Sequence, residues 1–192
     1  MTPLPGDVIA VAGRGWISRI IERAVRGPVT HVAVMADETT VVESTTLADG
    51  QRGVFWRRLD EFLYQHRVQN EPCMLLPIRR GGFKKIPFRA YLIGVQGRKY
   101  DWWQAWRSAF PPLPTRESDR RLFCSELVAR AHEAAGLYRC NASDVNPMAL
   151  CRMKIYSGAP VPLIGEEFFL SGYNSTAVNA PESTIATQVG VT

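Results

Sequence analysis

At 192 residues, 46% hydrophobic and 21% charged, the chain has the composition of an ordinary globular protein, long enough for one sizeable core. No apolar run approaches the roughly 20 residues a membrane-spanning helix needs, so an integral helical membrane protein is excluded. A net charge of +5 raises the question of nucleic acid. The densest basic run, Arg79-Arg80-Gly81-Gly82-Phe83-Lys84-Lys85, holds one aromatic residue and adjoins nothing that reads as a recognition helix, so it reads as a solvated turn.

Gly6-Asp7 leads into Val8-Ile9-Ala10-Val11-Ala12, an apolar run that fits a buried strand. Ile17, Ile20, Ile21, Ala24 and Val25 then recur at helical spacing up to the stop at Gly27-Pro28. The segment from Thr30 to Ala36 reads as a strand, Asp37-Glu38 as a turn, and Thr40 to Ser44 as the hairpin partner. In that first strand His31, Ala33 and Met35 share one face. Pairing about Asp37-Glu38-Thr39 sets Glu43 roughly opposite His31, in a register that one slip would reverse. Further strands are expected at Val54–Trp56, at Met74–Ile78 (ended or set at an edge by Pro77) and at Lys154–Tyr156. A short helix is expected at Leu59–Leu63, and another near Pro87 with Phe88, Tyr91, Leu92 and Val95 inward.

Trp102, Trp103 and Trp106 form an aromatic segment that suits core packing, or alternatively a ligand platform. Pro111-Pro112-Leu113-Pro114 is a stiff loop. The strongest helical pattern runs from Cys124 to Leu137, through Leu127, Val128, Ala131, Ala134 and Ala135, with Gly136 as its stop. Ser143-Asp144-Val145-Asn146-Pro147 resembles a helix entry. Residues 1–170 are expected to form one domain, and 171–192, rich in Ser, Thr, Ala and Asn, a weakly ordered tail.

Cys124 falls in the first helical turn, where unpaired N–H groups and the positive dipole end favour an anion. A thiol placed so is biased toward thiolate, and Arg120 and Arg121 lie close in sequence. The same position also suits a small buried hydrophobe. A nucleophile needs a base. His132, eight residues along the same helix, lies about 12 Å away by helix rise, too far for the thiol. His66 stands in an unpatterned charged stretch and reads as solvated. That leaves His31 as the candidate base, with a half-buried strand-end histidine as the alternative. Glu43 on the next strand is placed to fix the tautomer of His31, or is a surface glutamate at a strand end.

Six pieces occur here in a recognisable order: Gly6-Asp7-Val8-Ile9, Thr30-His31-Val32-Ala33-Val34, Val42-Glu43-Ser44, Gly53-Val54, Tyr100-Asp101 and Phe123-Cys124-Ser125-Glu126-Leu127-Val128. Their order resembles that of the circularly permuted NlpC-type papain-like thiol hydrolases, the YiiX-like branch, over residues 6–157. The resemblance implies an α+β papain-like fold with a small antiparallel sheet against the nucleophile helix. It also implies Cys124 as nucleophile, His31 as general base and Glu43 as third member, with Tyr100 and Ser125 at the oxyanion or substrate site. The expected activity is hydrolysis of an amide, in a cell-wall peptide or an N-acyl amino acid, through an acyl-enzyme. Two other readings remain open: lipid acyl transfer or deacylation of the lecithin–retinol acyltransferase type, and a binding module without turnover.

Cys73, Cys124, Cys140 and Cys151 contain no C-x-x-C pair and no zinc-like His spacing, so no metal, cofactor or disulfide is expected. The opening Met1–Asp7 lacks the pattern of a secretory signal, so the cytoplasm is the expected location, with release toward the cell wall left open.

Overall fold

The computed structural model describes residues 2–46, 50, 52–101 and 121–165. The aromatic segment at Trp102–Trp106, the loop at Pro111–Pro114, Arg120 and the expected tail at 171–192 lie outside the described residues.

The described residues form a mixed α+β fold. Its centre is a six-stranded antiparallel sheet made of β1 (Val8–Val11), β2 (His31–Met35), β3 (Thr40–Thr46), β4 (Arg52–Arg58), β5 (Cys73–Leu76) and β8 (Val161–Ile164). Across the sheet the order is β4-β3-β2-β1-β5-β8. Strand β1 lies at the centre, paired with β2 and β5 along its whole length, and all four of its side chains are buried. That explains why its sequence is continuously apolar rather than alternating. Strand β5 ends at Pro77, but it is an inner strand, flanked by β1 and β8. The sheet edge falls instead at β8, where Pro162 costs no outer ladder bond. Lys154–Tyr156 does not form the expected last strand, and only Tyr156 pairs, in an isolated bridge with Ile78.

Alternation along the strands divides the core in two. Val8, Ala10, Val32, Val34, Val42 and Val54 face one cluster, which includes Leu127 and Val128 of α4 (Cys124–Ala134). Ile9, Val11, Ala33, Met35 and Val41 face the other, closed by Phe62 of α2 (Leu59–Val68). Helix α1 (Trp16–Val25) and the short α5 (Pro147–Cys151) lie at the periphery of the first cluster, and α3 (Lys85–Gly94) packs against α4. In α3 Pro87 is the third helical residue rather than the first, which is equally tolerated because that N–H also has no intrahelical partner. Phe88, Leu92 and the C-cap Val95 turn inward as the spacing predicts.

Helix α4 is buried nearly all round, and Glu126 and His132 are each bonded through one polar atom, Glu126 Oε2 and His132 Nδ1 being buried without a partner. Glu126 takes Arg130 at 2.9 Å and the Ser143 hydroxyl at 3.0 Å, and His132 meets the Gly6 carbonyl at 2.8 Å. Burial lowers the His132 pKa to about 4, so the ring stays neutral and donates that bond. No described helix is long and apolar enough to cross a membrane.

Candidate functional site

Strands β2 and β3 are laddered only at Val34–Val42 and Met35–Val41. Extending that register sets Glu43 opposite Ala33, two places from the His31 pairing expected from sequence. A shift of two preserves the face, so the carboxylate lies diagonally across from the imidazole, within reach of a long side chain. His31 Nε2 and Glu43 Oε2 are 2.8 Å apart. Glu43 is 2% exposed, and its second oxygen accepts from an Arg57 guanidinium nitrogen at 2.9 Å. Arg57 stands on β4 opposite Val41, diagonal to Glu43, and so completes a row of three polar side chains across three strands.

Beyond Val34 and Val42 no ladder joins β2 to β3, and the start of α4 enters beside their open ends. The Ser44 hydroxyl donates to the Leu122 carbonyl at 2.6 Å, two residues before Cys124. Leu122 belongs to β7 (Arg121–Leu122), which pairs in parallel with β6 (Lys99–Tyr100), Tyr100 standing opposite Leu122. The Asp101 N–H adds a bond to the same carbonyl at 3.2 Å. Gly53 of β4 holds this corner from the other side. Its φ is +151°, and a Cβ there would lie 2.4 Å from the Arg98 carbonyl oxygen. Only glycine allows β4 to approach the chain feeding Tyr100 so closely.

Cys124 is the first residue of α4, and the preceding Phe123 supplies no side-chain cap, so no capping side chain competes for the first-turn N–H groups. Its sulfur lies near enough to the His31 ring to favour the charged imidazole. Since Nε2 is engaged by Glu43, Nδ1 is the nitrogen left for sulfur. Burial opposes charge on His31, but Cys124 and Glu43 together outweigh it and raise its pKa to about 10. Burial also opposes charge on Glu43, yet His31 and Arg57 hold its carboxyl below the usual range. The imidazolium is therefore the favoured form beside the Glu43 carboxylate.

Burial, with the negative charges of Cys124 and Asp101, pushes the Tyr100 phenol upward, so it remains a protonated donor near the sulfur. Ser125 is fully buried, and its hydroxyl donates to the Val145 carbonyl at 2.5 Å. That bond ties α4 to the 3-10 turn at Ala142–Asp144, which places the Ser125 side chain in the support of the helix. Its backbone N–H remains at the helix start.

Two features differ from the sequence reading. His66 is not solvated. It is 7% exposed, packs its ring 4.4 Å from that of Phe62 and pairs through Nδ1 with Glu71 at 2.7 Å. Its ring centroid lies 6.4 Å from that of His31. Arg57 was not singled out, although a buried carboxylate on one strand calls for a cation on the next, and Arg57 has the right parity. The other described cysteines are free like Cys124. Burial raises the Cys73 thiol to about 12 and pushes those of Cys140 and Cys151 upward as well. Among the described residues no three or more His, Cys, Asp or Glu side chains are grouped to hold a metal ion.

No protein family matches the sequence, and no curated protein matches it. Among solved structures the chain is similar to the metalloprotein YiiX from Escherichia coli O157:H7, at 18% identity and a TM-score of 0.47. The similarity covers 70% of this chain and 67% of that one.

Proposed function

We propose that this chain is a cysteine hydrolase of the amidase or peptidase type, built on a permuted papain-like plan. The observation that supports it best is a single imidazole 2.8 Å from a buried carboxylate, with a cysteine at a helix start near enough to act on the same ring. In this reading the Cys124 thiolate attacks the carbonyl carbon of an amide and forms a C–S bond. The resulting oxyanion is held by N–H groups at the start of α4, with the protonated Tyr100 as a further donor. The His31 imidazolium gives its proton to the departing amine as the C–N bond breaks. Water then attacks the thioester, His31 takes the proton that water loses, and the thiolate leaves as the acid is released. Glu43, with Arg57 behind it, keeps the ring in one orientation and supports its charged form.

The test is labelling by a thiol-directed probe at about pH 6, where an ordinary thiol of pKa about 8.5 is almost wholly protonated. Cys124 should label well ahead of Cys73, Cys140 and Cys151, and His31→Ala should remove that preference. Equal labelling of the four would overturn the assignment. Mass spectrometry after incubation with peptide amides or lipid acyl donors then identifies the acyl group carried on Cys124. A lipid acyl adduct alone would redirect the reading to acyl transfer, and no adduct from either would indicate a binding module.

A further inference from the structure

Between Glu71 and Asp101 the sequence has no acidic residue and seven Lys or Arg, more positive charge than the whole chain's net +5. Helix α3 lies in the middle of this stretch. Its inner face, Phe88 and Leu92, is sealed against the core, while its outer face is apolar where water would be expected. Ile86 is 83% exposed and Ile93 56%, and the exposed Ala90 stands between them, so the three form a stripe at steps of four and three along one side. Exposed Lys84, Lys85 and Arg89 flank the stripe, and exposed Lys99 follows beyond its end. Scattered exposed apolar residues are ordinary. Two isoleucines aligned on one helix face inside a cationic frame have the chemistry of a helix lying in a lipid headgroup layer, apolar side down and cations level with the phosphates.

We infer that α3 is a docking surface for an anionic phospholipid membrane. Charge chooses the occupant. Arg80 is paired with the buried Asp7, while the exposed Lys84, Lys85, Arg89 and Lys99 present their charge around the stripe. The stripe requires a partner that is apolar just beneath an anionic surface, which a lipid headgroup layer is and a soluble polyanion is not. The location is also suited to the proposed chemistry. Helix α3 packs on α4, and its C-terminal end passes through Arg98 into the β6 strand that carries Tyr100. A membrane against α3 would therefore lie along the helix that begins with Cys124. The inference does not depend on catalysis, and its readout does not use activity.

The experiment is co-sedimentation of the full chain with vesicles of phosphatidylcholine alone and of phosphatidylcholine containing phosphatidylglycerol. Binding is expected only with the anionic lipid and should weaken as salt rises. Lys85→Glu and Arg89→Glu should each lower partitioning about fivefold or more, the worth of one basic residue at an anionic surface. Ile86→Ser and Ile93→Ser should also lower it, without altering the circular dichroism spectrum, because both residues are exposed. Equal binding to neutral vesicles, or no binding to either, overturns the proposal. So does heparin binding that the isoleucine variants leave unchanged, which would mark a polyanion site. A dimer in solution that Ile93→Ser dissolves would assign the face to a second copy.

Discussion

Arg57 offers the most direct test of how the site is held. Its guanidinium lies 2.9 Å from a carboxylate oxygen that is 2% exposed, while the arginine side chain itself is 16% exposed. At an effective dielectric of about 20 such a pair attracts by about 6 kcal/mol, most of which offsets the cost of taking both ions from water. Truncation leaves the carboxylate buried and half unpaired, so Arg57→Ala should cost about 2–4 kcal/mol, the lower side of the range for broken buried pairs because the arginine keeps some contact with solvent. In a chain of this size that corresponds to a melting temperature lower by roughly 4–16 °C. Glu43→Gln in the same background removes the orphaned charge. The double variant should therefore be more stable than the sum of the single losses predicts, by about 1–3 kcal/mol. Urea titration of the four proteins measures this coupling. Additivity within about 0.5 kcal/mol would show that Arg57 does not sustain Glu43, and the polar row across β2, β3 and β4 would lose its meaning.

Four further outcomes follow from the same geometry. His31 is raised to about 10, above the ordinary value of about 6.5, so the stability it contributes is full below about pH 6.5 and is lost as pH rises through about 10. Glu43→Gln removes one of the two supports for the imidazolium and should shift the alkaline limb of Cys124 labelling to lower pH; an unmoved limb would contradict the His31–Glu43 coupling. Glu43 itself is depressed, so its contribution is present above about pH 4.3 and fades as pH falls through its lower folded value, which acid titration of the wild type and Glu43→Gln would compare. Gly53→Ala places a methyl 2.4 Å from the Arg98 carbonyl and should cost about 1–3 kcal/mol while slowing labelling, because the displaced chain leads to Tyr100; unchanged stability and rate would refute that link. Ser44→Ala should cost about 1 kcal/mol and slow labelling of Cys124 by freeing Leu122, a result checked by denaturation beside probe kinetics.

The parts of the site that were legible in the sequence are those whose place is set within one element. Cys124 opens a helix because apolar spacing begins there and Gly136, at φ +80°, ends it two residues after the last helical turn. His31 shares a face with Ala33 and Met35 because a strand repeats every two residues. The hairpin register was less legible. Ala36 N–H donates to the Thr40 carbonyl and Asp37 accepts from the Thr39 N–H, so the chain does turn about Asp37-Glu38-Thr39, but that register sets Glu43 opposite Ala33 rather than His31. The offset of two places between Ala33 and His31 leaves the facing unchanged, which is why Glu43 still reaches the imidazole.

What local pattern does not carry is the state of those groups. His66 looks solvated in its own stretch, and only the crossing of α2 over the sheet brings it to Phe62 and Glu71. The β8 strand is hidden by Pro162 and by half-buried residues, because an edge position relaxes the pattern that marks inner strands. Arg57 lies fourteen positions from Glu43 in a run of basic residues, where nothing distinguishes it from the exposed Arg58. Yet Arg57 helps to keep Glu43 ionised, and Glu43 in turn helps to keep His31 charged beside Cys124. In the proposed reaction the thiol at the helix start would thus depend on a residue two strands away from His31, through a chain of contacts that exists only once β2, β3 and β4 lie side by side.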